Sequence, residues 1–164
     1  MAAKNQPGKL YSGIFFSPLG PLKITCTDEA LAGLNFGRPA KCSDFPADHT
    51  LYLEVQRQLA EYFAGRRKVF SLPLIYKGTE FQVWVWKELL KIPYGETVSY
   101  KEIARRVGRG RACRAVGAAN RANPISIIIP CHRVIGADGQ LVGYGGEVWR
   151  KEWLLLHEKR HRNE

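Results

Sequence analysis

The chain lacks the usual marks of export, membrane insertion and metal binding. No apolar run approaches the length a bilayer span requires. The opening residues, MAAKNQPGKL, hold no apolar core and no secretory pattern. Cysteines stand only at 26, 42, 113 and 131, with no CxxC pair and no zinc-finger spacing. Internal repeats and low-complexity segments are absent. These absences argue against a disulfide framework, a metal site, a cofactor-loaded centre or a membrane partner. They point to a reduced, intracellular protein, cytoplasmic and nucleoid-associated or else nuclear.

What is present is a packed globule with a basic bias. The 164 residues are 45% hydrophobic and include seven Phe, seven Tyr and four Trp, enough to bury a core unaided. The net charge of +10 is uneven. Residues 1–76 hold nine basic and six acidic side chains, a balance of +3, and residues 77–164 hold sixteen and nine, or +7. Between 101 and 121, seven basic residues face one glutamate. A solvated surface explains most charge runs. A polyanion partner is the sharper reading, because clustered positive charge gains affinity by releasing phosphate counterions.

The pattern predicts an α+β chain with a division near 76/77. KLYSGIFF, PLKITCT and LAGLNF, punctuated by SPLG and DEA, read as an antiparallel meander. Residues 39–48 read as a polar loop. Apolar residues at 51, 55, 59, 62 and 63 then have a helical period that ends at Gly65, and KVFSLPL reads as one more strand. This N-terminal α/β unit shows no catalytic cluster.

Beyond residue 77 helices dominate. TEFQVWVWKELLKI starts at a Thr79 cap, and SYKEIARRVG opens on a Ser99/Glu102 capping box. ACRAVGAANRAN follows a short basic link and stops before Pro124. Two short helices with a glycine-containing turn read as a helix-turn-helix or as an ordinary packed pair. GADGQLVGYGG suggests a hairpin or wing. The last helix, EVWRKEWLLLHEKR, sets Val148, Trp149, Trp153, Leu154 and Leu156 on an expected apolar face.

The second of the paired helices is unusual for a base reader. Its uncharged side chains are small, with Ala115, Ala118 and Ala119 beside Arg114 and Arg121. Reading bases in the major groove needs long hydrogen-bonding side chains, whereas a small-residue face suits the minor groove, about 6 Å wide. Helix–helix packing favours small residues equally well.

The apolar run that opens IIIPCHRVIG, residues 127–136, reads as a buried strand and leads into Cys131, His132 and Arg133. A free thiol titrates near 8.5, so an active one needs a base or a positive neighbour. His132 is adjacent, but adjacent side chains diverge unless the backbone is irregular or a water bridges them. Glu158 on the last helix could orient the imidazole. Arg133 reads as structural, pairing with carbonyls or an acid. From the residues alone, a cysteine hydrolase, a thiol transferase acting on DNA and a DNA-binding protein with an incidental cysteine all remain open.

IPCHRVIG, preceded by IPYGETVSY and RAVGAANRANP and followed by GYGG and KEWLLLHE, resembles the O6-alkylguanine-DNA alkyltransferases. The likeness is strong over residues 77–160 and looser before that, through SPLG and FQVWVWKELL. It implies an RNase H-like N-terminal α/β domain, 1–76, and a C-terminal helical domain, 77–164, bearing a winged helix-turn-helix. The implied activity is single-use transfer of an alkyl group from O6-alkylguanine, and from O4-alkylthymine, to an internal cysteine after nucleotide flipping. The implied partner is alkylated double-stranded DNA bound from the minor groove by a monomer, with cooperative assembly left open. By this resemblance Cys131 is the acceptor, His132 the base and Glu158 its orienter. Asn123 ties the helix pair to the active segment, and Tyr100 protonates the leaving guanine and helps turn the target phosphate. Arg114 fills the gap in the duplex, with Arg121, Ala115, Ala118, Ala119 and Tyr100 as DNA contacts. Tyr144, Gly145, Val134 and Trp86 are the implied substrate contacts. Gly145 and Ser126 stand where some relatives have serine and proline. No metal site is implied, since the histidine needed for the family's occasional N-terminal zinc site is missing. Alkyltransferase-like proteins, which flag damage without transfer, lack the cysteine this chain has.

Overall fold

The computed structural model describes residues 8–38, 45–144 and 147–164. Cys42, Gly145 and most of the polar loop 39–48 lie outside the described residues. The chain is α+β and divides between Tyr76 and Lys77 into two compact units. Among the described residues no helix is long and apolar enough to cross a membrane.

In the first unit, strands β1 (Tyr11–Ser17), β2 (Gly20–Cys26) and β3 (Leu31–Phe36) form an antiparallel sheet in the order β1-β2-β3. Alternation sets its faces: Leu22, Ile24 and Cys26 turn inward along β2. The SPLG turn is held by Ser17, whose hydroxyl donates to the Gly20 carbonyl at 2.7 Å and accepts from the Leu19 amide. Helix α1 (Thr50–Phe63) buries Val55, Gln58, Leu59 and Tyr62, one stripe at helical spacing, and packs on β1 and β2. Gly13 is required by this packing, because a Cβ there would collide with the Tyr52 ring.

The expected strand at KVFSLPL does not form. Only Leu74 bridges to the sheet, in parallel with Leu31. The segment before it is held by the buried Gln58 side chain, which donates to the Ser71 carbonyl and accepts from the Ser71 amide at 2.9 Å. A side chain has satisfied backbone groups that a neighbouring strand would otherwise take.

The second unit contains helices α2 (Glu80–Leu89), α3 (Tyr100–Arg106), α4 (Cys113–Arg121) and α5 (Val148–Arg160). Thr79 and Gln82 cap α2 reciprocally. Half of the expected box at α3 is present: Ser99 accepts from the Glu102 amide, but the Glu102 carboxylate pairs with Arg105 and Arg106 instead. Helix α2 packs on α3 and α4, with Trp86, Leu89, Ile103 and Val116 in the core. A short parallel pair, β4 (Val98–Ser99) with β5 (Val134–Ile135), fastens the start of α3 to the chain just after Cys-His-Arg.

Three further expectations are corrected. The run at 127–129 is buried but is a turn, not a strand, and Ile127 takes a left-handed φ of 71°. Between Gly136 and Tyr144 the described residues form a turn, closed by the Gly136 amide on the Gln140 carbonyl, with no hairpin. On α5 the buried face is Lys151, Leu154, His157 and Glu158, while Val148, Trp149 and Leu156 are exposed.

Candidate active site

Two asparagines shape the segment that carries the thiol. Asn123, just past α4, donates through Nδ2 to the Ile129 carbonyl at 2.8 Å and accepts from the Ile125 amide at 3.0 Å. Asn120, inside α4, donates to the Cys131 carbonyl at 3.3 Å. Together they fold 123–131 back on the helix without strand pairing. Cys131, His132 and Arg133 then form one 3-10 turn, all three buried. That tight turn is the irregular backbone an adjacent thiol and imidazole need to serve one site.

Glu158 organises the turn from α5. Its Oε1 accepts from His132 Nε2 at 2.8 Å and from Arg133 Nη2 at 2.9 Å. Its Oε2 accepts from Arg133 Nε at 2.9 Å and from the Gly95 amide at 3.1 Å. Arg133 Nη1 donates to the Ile92 carbonyl at 2.7 Å, which makes this arginine the fork-shaped brace of the site. Glu158 is 0% exposed, so its charge persists only because these donors surround it. Burial pushes its carboxyl up, but His132 and Arg133 outweigh burial and hold it well below the usual range.

The tautomer of His132 follows. A carboxylate can only accept, so Nε2 carries the hydrogen and Nδ1 keeps its lone pair. Nδ1 is buried and meets no protein hydrogen-bond partner among the described residues. Burial holds the imidazole below its ordinary pKa against the pull of Glu158, whose charge Arg133 already balances. At neutral pH His132 is a neutral base with its acceptor nitrogen available.

Cys131 is 5% exposed. Burial raises its pKa, opposed by Asn123, by the charge of Lys151 and by backbone amides. The resting group is a thiol, convertible to thiolate as a base withdraws its proton.

A second polar cluster borders the first, and sequence reasoning missed it. Lys151 on α5 is 0% exposed. Its Nζ donates to the carbonyls of Val134 and Val142, the latter at 2.9 Å, and reaches Tyr100 Oη at 3.4 Å. Tyr100 donates to the same Val142 carbonyl at 2.9 Å. Gly143 has φ 84°, and a Cβ there would stand 2.9 Å from Tyr100 Oη. Tyr144 follows at φ 70°, its hydroxyl pushed well above the usual range by burial and then by Cys131. The signal for Lys151 was its spacing: 151, 154 and 158 share one helical face, so the acidic member of the site pointed back to the basic one.

The exposed face of α4 carries Arg114, Ala115, Ala118 and Arg121, with Ala122 just beyond. Three of the residues expected to make contacts are buried in the free protein. Ala119 is buried, and its carbonyl accepts from Trp86 Nε1 at 2.9 Å, so these two residues join α2 to α4. Val134 is fully buried with its carbonyl given to Lys151. Among the described residues no group of three or more His, Cys, Asp or Glu side chains could hold a metal ion.

Comparison with known proteins agrees with this geometry. Residues 80–160 match the 6-O-methylguanine DNA methyltransferase DNA-binding domain, and residues 10–76 match the ribonuclease-like domain of the same family. A methylated-DNA–protein-cysteine methyltransferase of Methanosarcina barkeri is 48% identical over 154 residues, covering 92% of this chain and 98% of the relative. The corresponding protein of Mycobacterium leprae is 50% identical over 147 residues, covering 87% and 88%. Among solved structures, the O6-methylguanine methyltransferase of Mycobacterium tuberculosis superposes with a TM-score of 0.83 at 44% identity, covering 93% of this chain and 94% of that one. A complex of the M. tuberculosis protein with DNA gives 0.81 at 46% identity, covering 90% and 92%.

Proposed function

The chain belongs to the 6-O-methylguanine DNA methyltransferase family, and from that membership we propose how its residues divide the work. Its activity is repair of DNA by transfer of an alkyl group to a cysteine of the protein itself. We assign Cys131 as that cysteine. The observation that carries the assignment is the buried 3-10 turn that sets Cys131 beside His132, with Nε2 of His132 locked on Glu158.

In this reading the thiol proton passes to His132 Nδ1 through a water. The sulfur then attacks the alkyl carbon, forming the S–C bond as the C–O6 bond breaks, and the electron pair leaves with guanine. Tyr100 supplies a proton to the departing base. The imidazolium is stabilised by Glu158, which stays ionised because Arg133 and the Gly95 amide also donate to it. Burial keeps water from competing for the alkyl group. The product is a thioether, for which water is too weak a displacing agent, so each chain acts once.

Helices α3 and α4 form the proposed helix-turn-helix, with the Arg114–Arg121 face set in the minor groove. O6 lies on the major-groove edge of guanine, so a protein bound on the opposite side reaches it only if the nucleotide rotates out of the stack. Arg114 then fills the gap, while Tyr144 and the loop around it close over the base. Contacts of this kind read backbone and shape and give little preference among sequences. The protein acts as an intracellular monomer on double-stranded DNA, with O4-alkylthymine as a second substrate.

The test is a duplex carrying one O6-methylguanine, incubated with wild type and with Cys131→Ser. Intact mass should show one methyl group per wild-type chain, on the Cys131 peptide, and none on the variant, whose DNA affinity should stay within a few-fold. Methyl on another residue, or turnover beyond one equivalent, would overturn the assignment.

A further inference from the structure

Two tryptophans of α2 face opposite ways, since side chains two apart on a helix point about 200° from each other. Trp86 is buried and donates to the Ala119 carbonyl of α4. Trp84 is 40% exposed, on the side of α2 turned away from α4. Lys87 and Lys91 follow Trp84 at helical spacing, and Leu90, where the helix ends, is 41% exposed. The end of α3 brings Arg106 and Val107 to the same place. These side chains line an open groove of about 690 Å³. Neither the transfer nor the proposed duplex contact uses it.

Trp84, Leu90 and Val107 give the groove apolar walls, and large apolar side chains left together in water mark recognition surfaces. Three basic side chains stand among them against one acid, Glu88. Lys91 matches Glu88, while Glu102, the partner of Arg106, is shared with Arg105. Among the described residues no carboxylate pairs with Lys87. The groove therefore keeps a positive surplus. From Trp84 to Lys91 the helix rises about 10 Å, or about two turns.

We propose that this groove docks a short acidic amphipathic segment of a partner protein: a large apolar side chain of the segment seats against Trp84 and Leu90, and its carboxylates meet Lys87, Lys91 and Arg106. An apolar helix face laid into an apolar groove is a recurrent mode of peptide recognition, and the surrounding cations select acids over bases. A nucleic-acid strand fits less well. Glu88 would stand against its phosphates, and one tryptophan offers a single platform where a strand presents successive bases. Because Trp84 turns away from α4, a duplex held on the Arg114–Arg121 face leaves the groove open, so the partner meets the protein on DNA as well as off it.

The test uses the full chain and a fluorescein-labelled helical peptide with leucines along one face and glutamates elsewhere. A control peptide carries lysines in place of the glutamates. In anisotropy titrations the acidic peptide should bind, more weakly as salt rises, and the basic one should not. Trp84→Ser should weaken binding by about tenfold or more, as when an aromatic anchor is lost. Lys87→Glu should weaken it by about tenfold, since reversal turns an attraction into a repulsion. Both positions are exposed and lie outside the active turn and α4, so both variants should match wild type in melting, DNA affinity and methyl transfer. Saturating duplex should change peptide affinity by no more than a few-fold. Failure of the acidic peptide to bind, or equal binding by Trp84→Ser, overturns the inference. So does a single-stranded oligonucleotide that displaces the peptide and needs Trp84 to bind, which would make the groove a nucleic-acid contact. Self-association in sedimentation that is lost in Trp84→Ser overturns it as well, by making the occupant a second copy of this chain.

Discussion

Helix α4 keeps Arg114 and Arg121 on its exposed side and buries Val116 and Ala119, whereas α5 buries Lys151, His157 and Glu158 and exposes Val148, Trp149 and Leu156. The first pattern is what water and a polyanion both favour. The second is inverted, and inversion is stable only because each buried charge is met: Glu158 by His132 and Arg133, Lys151 by carbonyls and Tyr100. In the proposed reading the exposed arginines of α4 serve a polyanion partner, and the two buried charges of α5 serve the transfer.

The sharpest way to break the comparison is to remove charge from α5. Glu158→Gln removes the negative charge that supports the His132 imidazolium and one of the two oxygens that accept from Arg133, and strands Arg133 in the interior. Transfer should slow by up to about 10⁴-fold, as when the acid of a catalytic triad is neutralised. Breaking the buried pair should cost about 3–5 kcal/mol of stability. DNA affinity should hold, since nothing on α4 changes. The acid limb of stability should shrink as well. The folded pKa of Glu158 lies below its unfolded value of about 4.3, so its stabilisation is complete above that value and fades as pH falls through the folded one. Melting temperature against pH, wild type minus variant, should therefore narrow below about pH 4. Normal transfer by a folded Glu158→Gln protein would remove Glu158 from the mechanism.

Removing charge from α4 should do the opposite. Arg114→Ala with Arg121→Ala should weaken DNA binding and reduce the log–log salt slope by about 0.9 for each phosphate that is no longer neutralised. Repair should suffer more than binding, because Arg114 is also the residue proposed to fill the gap left by a rotated base. Stability should stay within about 0.5 kcal/mol, as for most surface changes. Salt titrations beside urea melts separate the two effects, and a large loss of stability would mean these arginines are structural.

The same contrast explains what was legible in the sequence. The meander, α1 and the Thr79 cap follow from period and punctuation, which act locally. The PCHR turn was visible as chemistry, but the apolar run before it was misjudged as structure, because a β-branched run reads as a strand when Asn120 and Asn123, close by in sequence, fold it into a turn. The apolar face assigned to α5 was wrong for a related reason: hydrophobicity rules assume that charge goes outward, and here the site claims it. Lys151 stayed hidden because one lysine among WRKEW looks like any solvated lysine. The small-residue face of α4 was readable, but not which alanines turn inward, since that depends on where Trp86 docks.

Alkylation itself offers a milder perturbation. A methyl group added to the sulfur of Cys131, a residue 5% exposed, should overfill the site and withdraw the thiol from Asn123 and Lys151. Overpacking costs about 1–3 kcal/mol, and at this size each kcal/mol corresponds to about 2–4 °C. Reacted protein should melt several degrees lower and be cleaved faster by protease. Equal melting of reacted and unreacted protein would show that the pocket has room.

The smallest expected effect tests the outward apolar side of α5. Leu154 and Leu156 stand two positions apart in one Leu-Leu-Leu run, yet Leu154 is 0% and Leu156 57% exposed. On an ordinary reading of that run the three are equivalent. If the helix is inverted, Leu154→Ala creates a cavity and costs about 2–5 kcal/mol, while Leu156→Ala trims a side chain that faces water and changes stability by no more than about 0.5 kcal/mol. Trp149, 51% exposed and tied to Glu147 and Arg150 beside it, should behave like Leu156 despite its size when changed to Ala. None of these changes touches a group placed in the transfer, so methylation rates should match wild type. Urea midpoints for the three variants decide the matter. A loss at Leu156 as large as at Leu154 would mean that α5 buries apolar residues on both sides, and the contrast with α4 would fall.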